Sequence, residues 1–191
     1  MAPGKKNAAR LGAHIVFADE SGFQLIPNVV RTWAPRGHTP ILRHHYRRAK
    51  ISVISGVAVS PVRKRLNLFF QLYFDNIGQE EVVIFLRDLL RHVRGEVVVL
   101  FDNARIHHGR LVKKLLCRHP RLHLEYFPPY APELNPDEGV WSQAKRSLAN
   151  GSPGSAGQLM RDVVRAIAGI RRSPTKLRAC VRQSTLPPFL P

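Results

Sequence analysis

The segment GEVVVLFDNA, residues 95–104, runs through five successive apolar residues, Val97 to Phe101, and then meets Asp102. A continuous apolar run this short reads as a strand buried on both faces, and such a strand needs layers packed above and below its sheet. Its neighbours can supply them. GQEEVVIFLRDLLRHV (78–93) places Val82, Phe85, Leu86, Leu89, Leu90 and Val93 at helical spacing. Glu80 and Glu81 stand in its first turn, where the helix dipole favours negative charge. GRLVKKLLCRH (109–119) reads as a basic helix, and LHLEYF (122–127) alternates like a strand.

Upstream, KISVISGVAVS (50–60) and LNLFFQLYFDN (66–76) are β-branched and aromatic runs joined by the basic turn PVRKR, which is a hairpin signal. HIVFADESGFQLI (14–26) reads as two strand segments about a bulge or bend at Asp19–Gly22. TWAPRGHTPIL (32–42), punctuated by Pro35, Gly37 and Pro40, suits a loop or an edge strand. Downstream, Pro128, Pro129 and Pro132 forbid regular structure until a helix begins near Pro136, with Asn135 as N-cap and Asp137 and Glu138 in the first turn. A last helix follows over AGQLMRDVVRAIAGI (156–170). Four strands, a helix, a strand, a helix, a strand and two helices give an α/β fold: one mixed central sheet flanked by helices.

At 191 residues the chain is about one domain's worth. The expected division is a basic flexible leader over 1–13, one domain over 14–172 and a C-terminal tail over 173–191. Thirty Lys and Arg oppose thirteen Asp and Glu, a net charge of 30 − 13 = +17, and a surface so charged attracts a polyanion such as nucleic acid. Cys117 and Cys180 stand 180 − 117 = 63 residues apart, without the spacing of a zinc site or a disulfide framework. No signal-type apolar segment and no run of roughly 18 apolar residues occurs, so a cytoplasmic, nucleoid-associated protein with no membrane partner is expected. Asn150-Gly151-Ser152 then reads as a turn rather than a glycosylation site.

Two acids are conspicuous by position. Asp19 follows the apolar HIVFA and Asp102 follows VVVLF, so each projects from a hydrophobic strand, where a charge is expensive unless it binds something. A third acid just inside a helix completes a set that repels itself unless divalent cations neutralise it.

In that order, FADESGF, VVVLFDNARIHH and YFPPYAPELNPDEGVW resemble the three catalytic blocks of DDE transposases of the mariner superfamily, in particular its bacterial insertion-sequence branch. RTWAPRGHTP resembles that branch's Arg-x-Trp-x-x-x-Gly segment, and the 35 residues between Asp102 and Glu138 suit the superfamily's short second spacing. The likeness runs from Ile15 to about Leu148. It implies an RNase H-like fold in which Asp19, Asp102 and Glu138 are catalytic and hold two divalent metal ions, Mg²⁺ or Mn²⁺, for cleavage of DNA and transfer of its 3′ ends. Within the third block, Glu133 is then a solvated or Arg-paired loop residue. Asp137 is a helix N-terminal charge whose side chain leaves the helix about 100° from that of Glu138.

The resemblance makes DNA the partner, as transposon ends and as target. Arg43, Arg47, Arg48 and Lys50, in RHHYRRAK with His44 and His45, form the densest basic cluster and are candidate phosphate contacts, as are Lys145 and Arg146. His107 and His108 are candidates for positioning substrate, and Trp33 and Trp141 read as packing residues. Members of the family that act alone carry helix-turn-helix modules ahead of the catalytic domain. This chain has some 14 residues there, which suggests a second reading frame served by a separate helix-turn-helix protein, a catalytic fragment or a remnant. A homodimer is compatible with all three. An RNase H-like structure-specific DNA nuclease, or an inactive DNA-binding remnant, are the alternatives.

Overall fold

The computed structural model describes residues 8, 10–26, 28–41, 49–62 and 65–186. The basic cluster Arg43, His44, His45, Arg47 and Arg48 lies outside the described residues. Three strands open the fold: β1 (His14–Gln24), β2 (Lys50–Val59) and β3 (Leu66–Tyr73). Then come α1 (Gln79–His92), β4 (Val97–Phe101), α2 (Arg110–Arg118), β5 (Leu122–Tyr126), α3 (Asp137–Leu148), α4 (Ala156–Arg171) and α5 (Pro174–Gln183). The five strands form one mixed sheet in the order β3-β2-β1-β4-β5. β1–β2 and β2–β3 are antiparallel, while β1–β4 and β4–β5 are parallel.

Alternation along the strands divides the core. Val16, Ala18, Ile54, Ala58, Val97, Val99 and Phe101 face α1 and α2, burying Phe85, Leu86, Leu89, Val112 and Leu115. Phe23, Ile51, Val53, Val57 and Leu68 face α3, α4 and α5 on the other side, against Trp141, Val163, Ile167, Leu177 and Cys180. The layers are thus α/β/α, and all five residues of β4 are buried, as a strand sandwiched between helical layers must be.

Two expectations change. β1 is one unbroken strand of eleven residues, because Asp19 to Gly22 pair with Ser55 to Ser52 of β2 without an interruption of register. Acidic and small residues are tolerated there because they lie near the sheet's end. Within the stretch read as a tail, Pro174–Gln183 is the helix α5, which buries Leu177, Cys180 and Val181 and starts from a Ser173 cap that accepts the Lys176 N–H. Short helices of this kind have little periodicity of their own and are made stable by the surface they cover.

Glycine sets the distance between layers at two points. A Cβ on Gly56 would stand 2.8 Å from Val16 Cγ1, and one on Gly139 would stand 2.8 Å from the Cα of Cys180. The second contact is with the backbone of α5, so no flexible side-chain end can yield to an added methyl group. Gly139→Ala is therefore expected to cost about 1–3 kcal/mol in urea unfolding. Gly169→Ala, on the interior of α4 with no heavy atom within 4 Å of the added carbon, should instead stabilise by about 0.4–1 kcal/mol.

Candidate active site

The parallel register of β1 and β4 ends at Phe17 opposite Leu100. Asp19 and Asp102 each lie two residues further on (19 − 17 and 102 − 100), so both acids emerge at the same end of neighbouring strands. Phe17 and Leu100 pack together on the same face, and the two-residue period carries the acids to that side.

The third block is brought to them by α3. A turn of 3₁₀ helix, Pro132–Leu134, leads into Asn135, which is buried and works in two directions. Its side-chain amide donates to the carbonyl of Ala18 at 3.3 Å, one residue before Asp19, and its Oδ1 accepts the N–H of Asp137 at 3.1 Å. The helix start is thereby fastened to β1. Trp141, one turn further, is buried and donates its indole N–H to Asp19 Oδ2 at 2.9 Å. Glu138 lies on the exposed side of the first turn, close enough to Asp19 for the two charges to interact. Burial raises the pKa of Asp19, the Trp141 hydrogen bond lowers it, and the Glu20 and Glu138 carboxylates raise it again, to about 7.

Asp137 departs from its expected role. It is fully buried, accepts the Ser55 hydroxyl at 2.7 Å, and has an Oδ1 with no hydrogen-bond partner among the described residues. Burial above all pushes its pKa well up, opposed by the Ser55 bond and reinforced by Asp19, Glu20 and Glu138. The 100° between adjacent helical residues separates the two acids as expected, but docking turns Asp137 inward over β2 rather than leaving it as a solvated dipole charge. Glu133 is exposed, and its carbonyl accepts the Thr185 N–H.

His107 also sits differently. It belongs to the 3₁₀ turn Arg105–His108 after β4, is 1% exposed, and stacks on Phe101 with ring centroids 4.1 Å apart. It reaches Glu20 Oε1 at 3.1 Å through Nε2, and Asp102 Oδ1 and O at 3.0 and 3.1 Å through Nδ1. Such a residue presents nothing to DNA. Burial lowers its pKa, but the Glu20 and Asp102 partners outweigh that and the net shift is upward. His108 is exposed and stacks on Tyr126 at 4.2 Å. Lys50 lies at the start of β2 and donates to Asn76 Oδ1 at 3.0 Å.

Lys145 and Arg146 border a cavity of about 920 Å³ between the end of β1, α3 and α4, with Gly22, Phe23 and Arg165 among its walls. Lys145 also lies over the Phe23 ring, 6.0 Å from its centroid. Trp33, expected to pack, is 99% exposed. Its loop is held by Asn150, which accepts from the N–H of Val30 at 3.0 Å and donates to its carbonyl at 3.1 Å. Proline and glycine beyond that clamp keep the loop from joining the sheet.

A family model for DDE superfamily endonucleases matches residues 14–160. The chain belongs to this family. Among solved structures, the DDE domain is similar to the Mos1 strand transfer complex, with a TM-score of 0.57 and 18% identity over 96% of this chain and 58% of that one. The Mos1 mariner paired end complex with Mn gives 0.56 and 18%, over 91% and 56%. The Mos1 transposase catalytic domain with Raltegravir and Mg gives 0.51 and 16%, over 97% and 96%. The shared architecture is RNase H-like. This chain spans between half and two-thirds of the transposase in the two complexes and nearly all of the isolated catalytic domain. No curated protein sequence matches it. Among the described residues, no helix is long and apolar enough to cross a membrane.

The donor set of the DDE domain consists of carboxylate oxygens, which suit a hard divalent cation rather than zinc or copper. As the side chains stand, no three His, Cys, Asp or Glu groups among the described residues converge on one point. The upward shift at Asp19 comes first from burial and then from the Glu20 and Glu138 carboxylates, and a bound cation would favour its charged form.

These shifts give a pH dependence of definite sign. The native state holds the Asp19 proton up to about 7, whereas the unfolded chain loses it near 3.9. Between these values the native state binds more protons, so stability falls as pH rises. The raised pKa of His107 acts in the same sense: its contribution is complete below the unfolded value and is lost as pH rises through the higher folded one. Asp19→Asn should melt above the parent at pH 8 and close to it at pH 4.5 in metal-free calorimetry. Equal differences at the two pH values would contradict the shift. Asp137→Ala, which strands the buried Ser55 hydroxyl, should lower stability by about 1–3 kcal/mol.

Proposed function

We propose that this chain is the catalytic domain of a mariner-like transposase of the bacterial insertion-sequence type, cutting DNA and joining 3′-hydroxyl ends to a target. The observation that carries this reading is the emergence of Asp19 and Asp102 at equivalent positions of adjacent parallel strands, with Glu138 facing Asp19 from a helix fastened to β1. Asp19, Asp102 and Glu138 are the catalytic residues and would hold two Mg²⁺ or Mn²⁺ ions. Ions bound there supply Lewis acidity to the entering and leaving oxygens of an in-line displacement at phosphorus.

The chain's own residues prepare that site. Trp141 spends its only donor on Asp19 and so fixes which oxygen faces inward. Asn135 keeps α3, and with it Glu138, against the end of β1. Lys145 and Arg146 border the adjacent cavity, where cationic side chains would neutralise phosphates and set the register of the strand without reading its bases. With a net charge of +17, binding to DNA is expected to be steeply salt-dependent and largely indifferent to sequence. End recognition is assigned to a separate helix-turn-helix protein, and the two ends of an element would be brought together by a homodimer. The domain is taken to span 14–172 with α5 packed on it, in a nucleoid-associated protein of the cytoplasm.

The test is nicking of supercoiled plasmid in Mn²⁺, in the presence of the upstream-frame protein where one is encoded. Glu138→Gln should remove metal-dependent nicking while melting within a few degrees of the parent. In parallel, Mn²⁺ should raise the melting temperature of the parent by mass action, and alanine at Asp19, Asp102 and Glu138 together should abolish that rise. Nicking by Glu138→Gln at the parent's rate would overturn the assignment.

A further inference from the structure

We propose that Glu20 and His107 form a partly buried dyad that positions Asp102, so that the second acid of the site is held by a clamp reaching through from the opposite face of the sheet. The proposal rests on the reading of Asp102 as a metal-binding carboxylate.

Glu20 follows Asp19 in β1 and therefore points to the other face, where its register partner Ile54 packs against α1. His107 lies on that same face, on Phe101. The imidazole is flanked by acceptors at both nitrogens: Glu20 Oε1 at 3.1 Å from Nε2, and Asp102 Oδ1 and O at 3.0 and 3.1 Å from Nδ1. The Asp102 carbonyl can only accept, so Nδ1 donates to it, which turns Nε2 to the Glu20 carboxyl. Its orientation is fixed from three sides: the Phe101 ring beneath, Glu20 behind, and the Tyr126 hydroxyl donating to the His107 carbonyl at 3.2 Å.

Asp102 stands just past β4, more than half exposed at its side chain, and the strand pairing has already ended. Without support its carboxylate would sample several rotamers in water. The backbone N–H of Ala104 donates to Oδ1 at 3.0 Å, and His107 Nδ1, hydrogen-bonded to the Asp102 carbonyl, stands 3.0 Å from the same oxygen. One oxygen is thus occupied by the protein, and the other is left for a ligand. Groups that hold a metal-binding side chain in this way typically change metal affinity by about 10–100-fold when removed. His107 is a positioning residue, acting through Asp102.

The test uses Mn²⁺ itself as probe, followed by the loss of its free-ion paramagnetic resonance signal on titration with the full chain. His107→Phe keeps an aromatic ring on Phe101 and removes both hydrogen bonds, so a stacking role alone would lower the melting temperature and leave Mn²⁺ affinity unchanged. The dyad requires affinity to fall about tenfold or more, with no further fall when His107→Phe is added to Asp102→Asn. If His107→Phe fails to fold, Glu20→Gln is read instead, and it should weaken Mn²⁺ binding by a smaller factor. A parent-like affinity in the folded variant overturns the proposal. The metal-free protein provides a second readout: His107 should show a slowly exchanging Nδ1–H proton in ¹H–¹⁵N spectra, and Glu20→Ala should speed its exchange. A parent that takes up no Mn²⁺ but shows this proton defeats the metal reading and leaves the clamp standing. Rapid exchange of that proton in the parent defeats the clamp.

Discussion

The docking of the first turn of α3 on the sheet is the contact on which the site depends. Three polar bonds make it: Asn135 to the carbonyl of Ala18, the Ser55 hydroxyl to Asp137, and the Trp141 indole to Asp19. Each joins residues more than 80 positions apart in sequence, and each is buried or partly buried, so losing one partner would leave a polar group without water. Gly139 then allows α5 to close over the back of the same turn. Among the described residues no hydrogen bond holds the Glu138 side chain; its position follows from what holds residues 135, 137 and 141.

This arrangement costs stability. Asp19, Asp137, Glu20 and Glu138 crowd one end of a sheet in a chain whose net charge is +17. Burial first, and the neighbouring carboxylates after it, raise the pKa of Asp19 and of Asp137 above the ordinary carboxylate range. A protein selected for stability alone would place apolar residues there. The large apolar layers on either side of the sheet offset that cost.

The match to the Mos1 catalytic domain covers nearly the whole of both chains, and the match to the complexes covers little more than half of the transposase. The sheet order β3-β2-β1-β4-β5 puts the ends of β1 and β4 side by side.

Much of this was legible in the order of residues. Apolar runs and helical spacing marked the elements from β2 to α4 to within a few residues, because both signals are local and depend only on which face each side chain occupies. Asp19, Asp102 and Glu138 could be singled out because a charge ending an apolar strand, or opening a helix after a proline loop, violates the local pattern. The long-range partners could not. Asp137 and Glu138 are adjacent acids, and only the docking of α3 turned the first inward and left the second outside. His107 read as a candidate for positioning substrate, and only the sheet brought Glu20, 87 positions away, to its far nitrogen. Trp141 read as packing, which is correct, but the direction of its N–H was hidden; Trp33, with the same composition, ended in solvent. Sequence by itself determined the elements from β2 to α4 and the acids that break their pattern, since these follow from short-range periodicity. Tertiary structure alone decided which acids are buried and what each is bonded to, because desolvation and hydrogen-bond geometry are set by neighbours the chain supplies from far away.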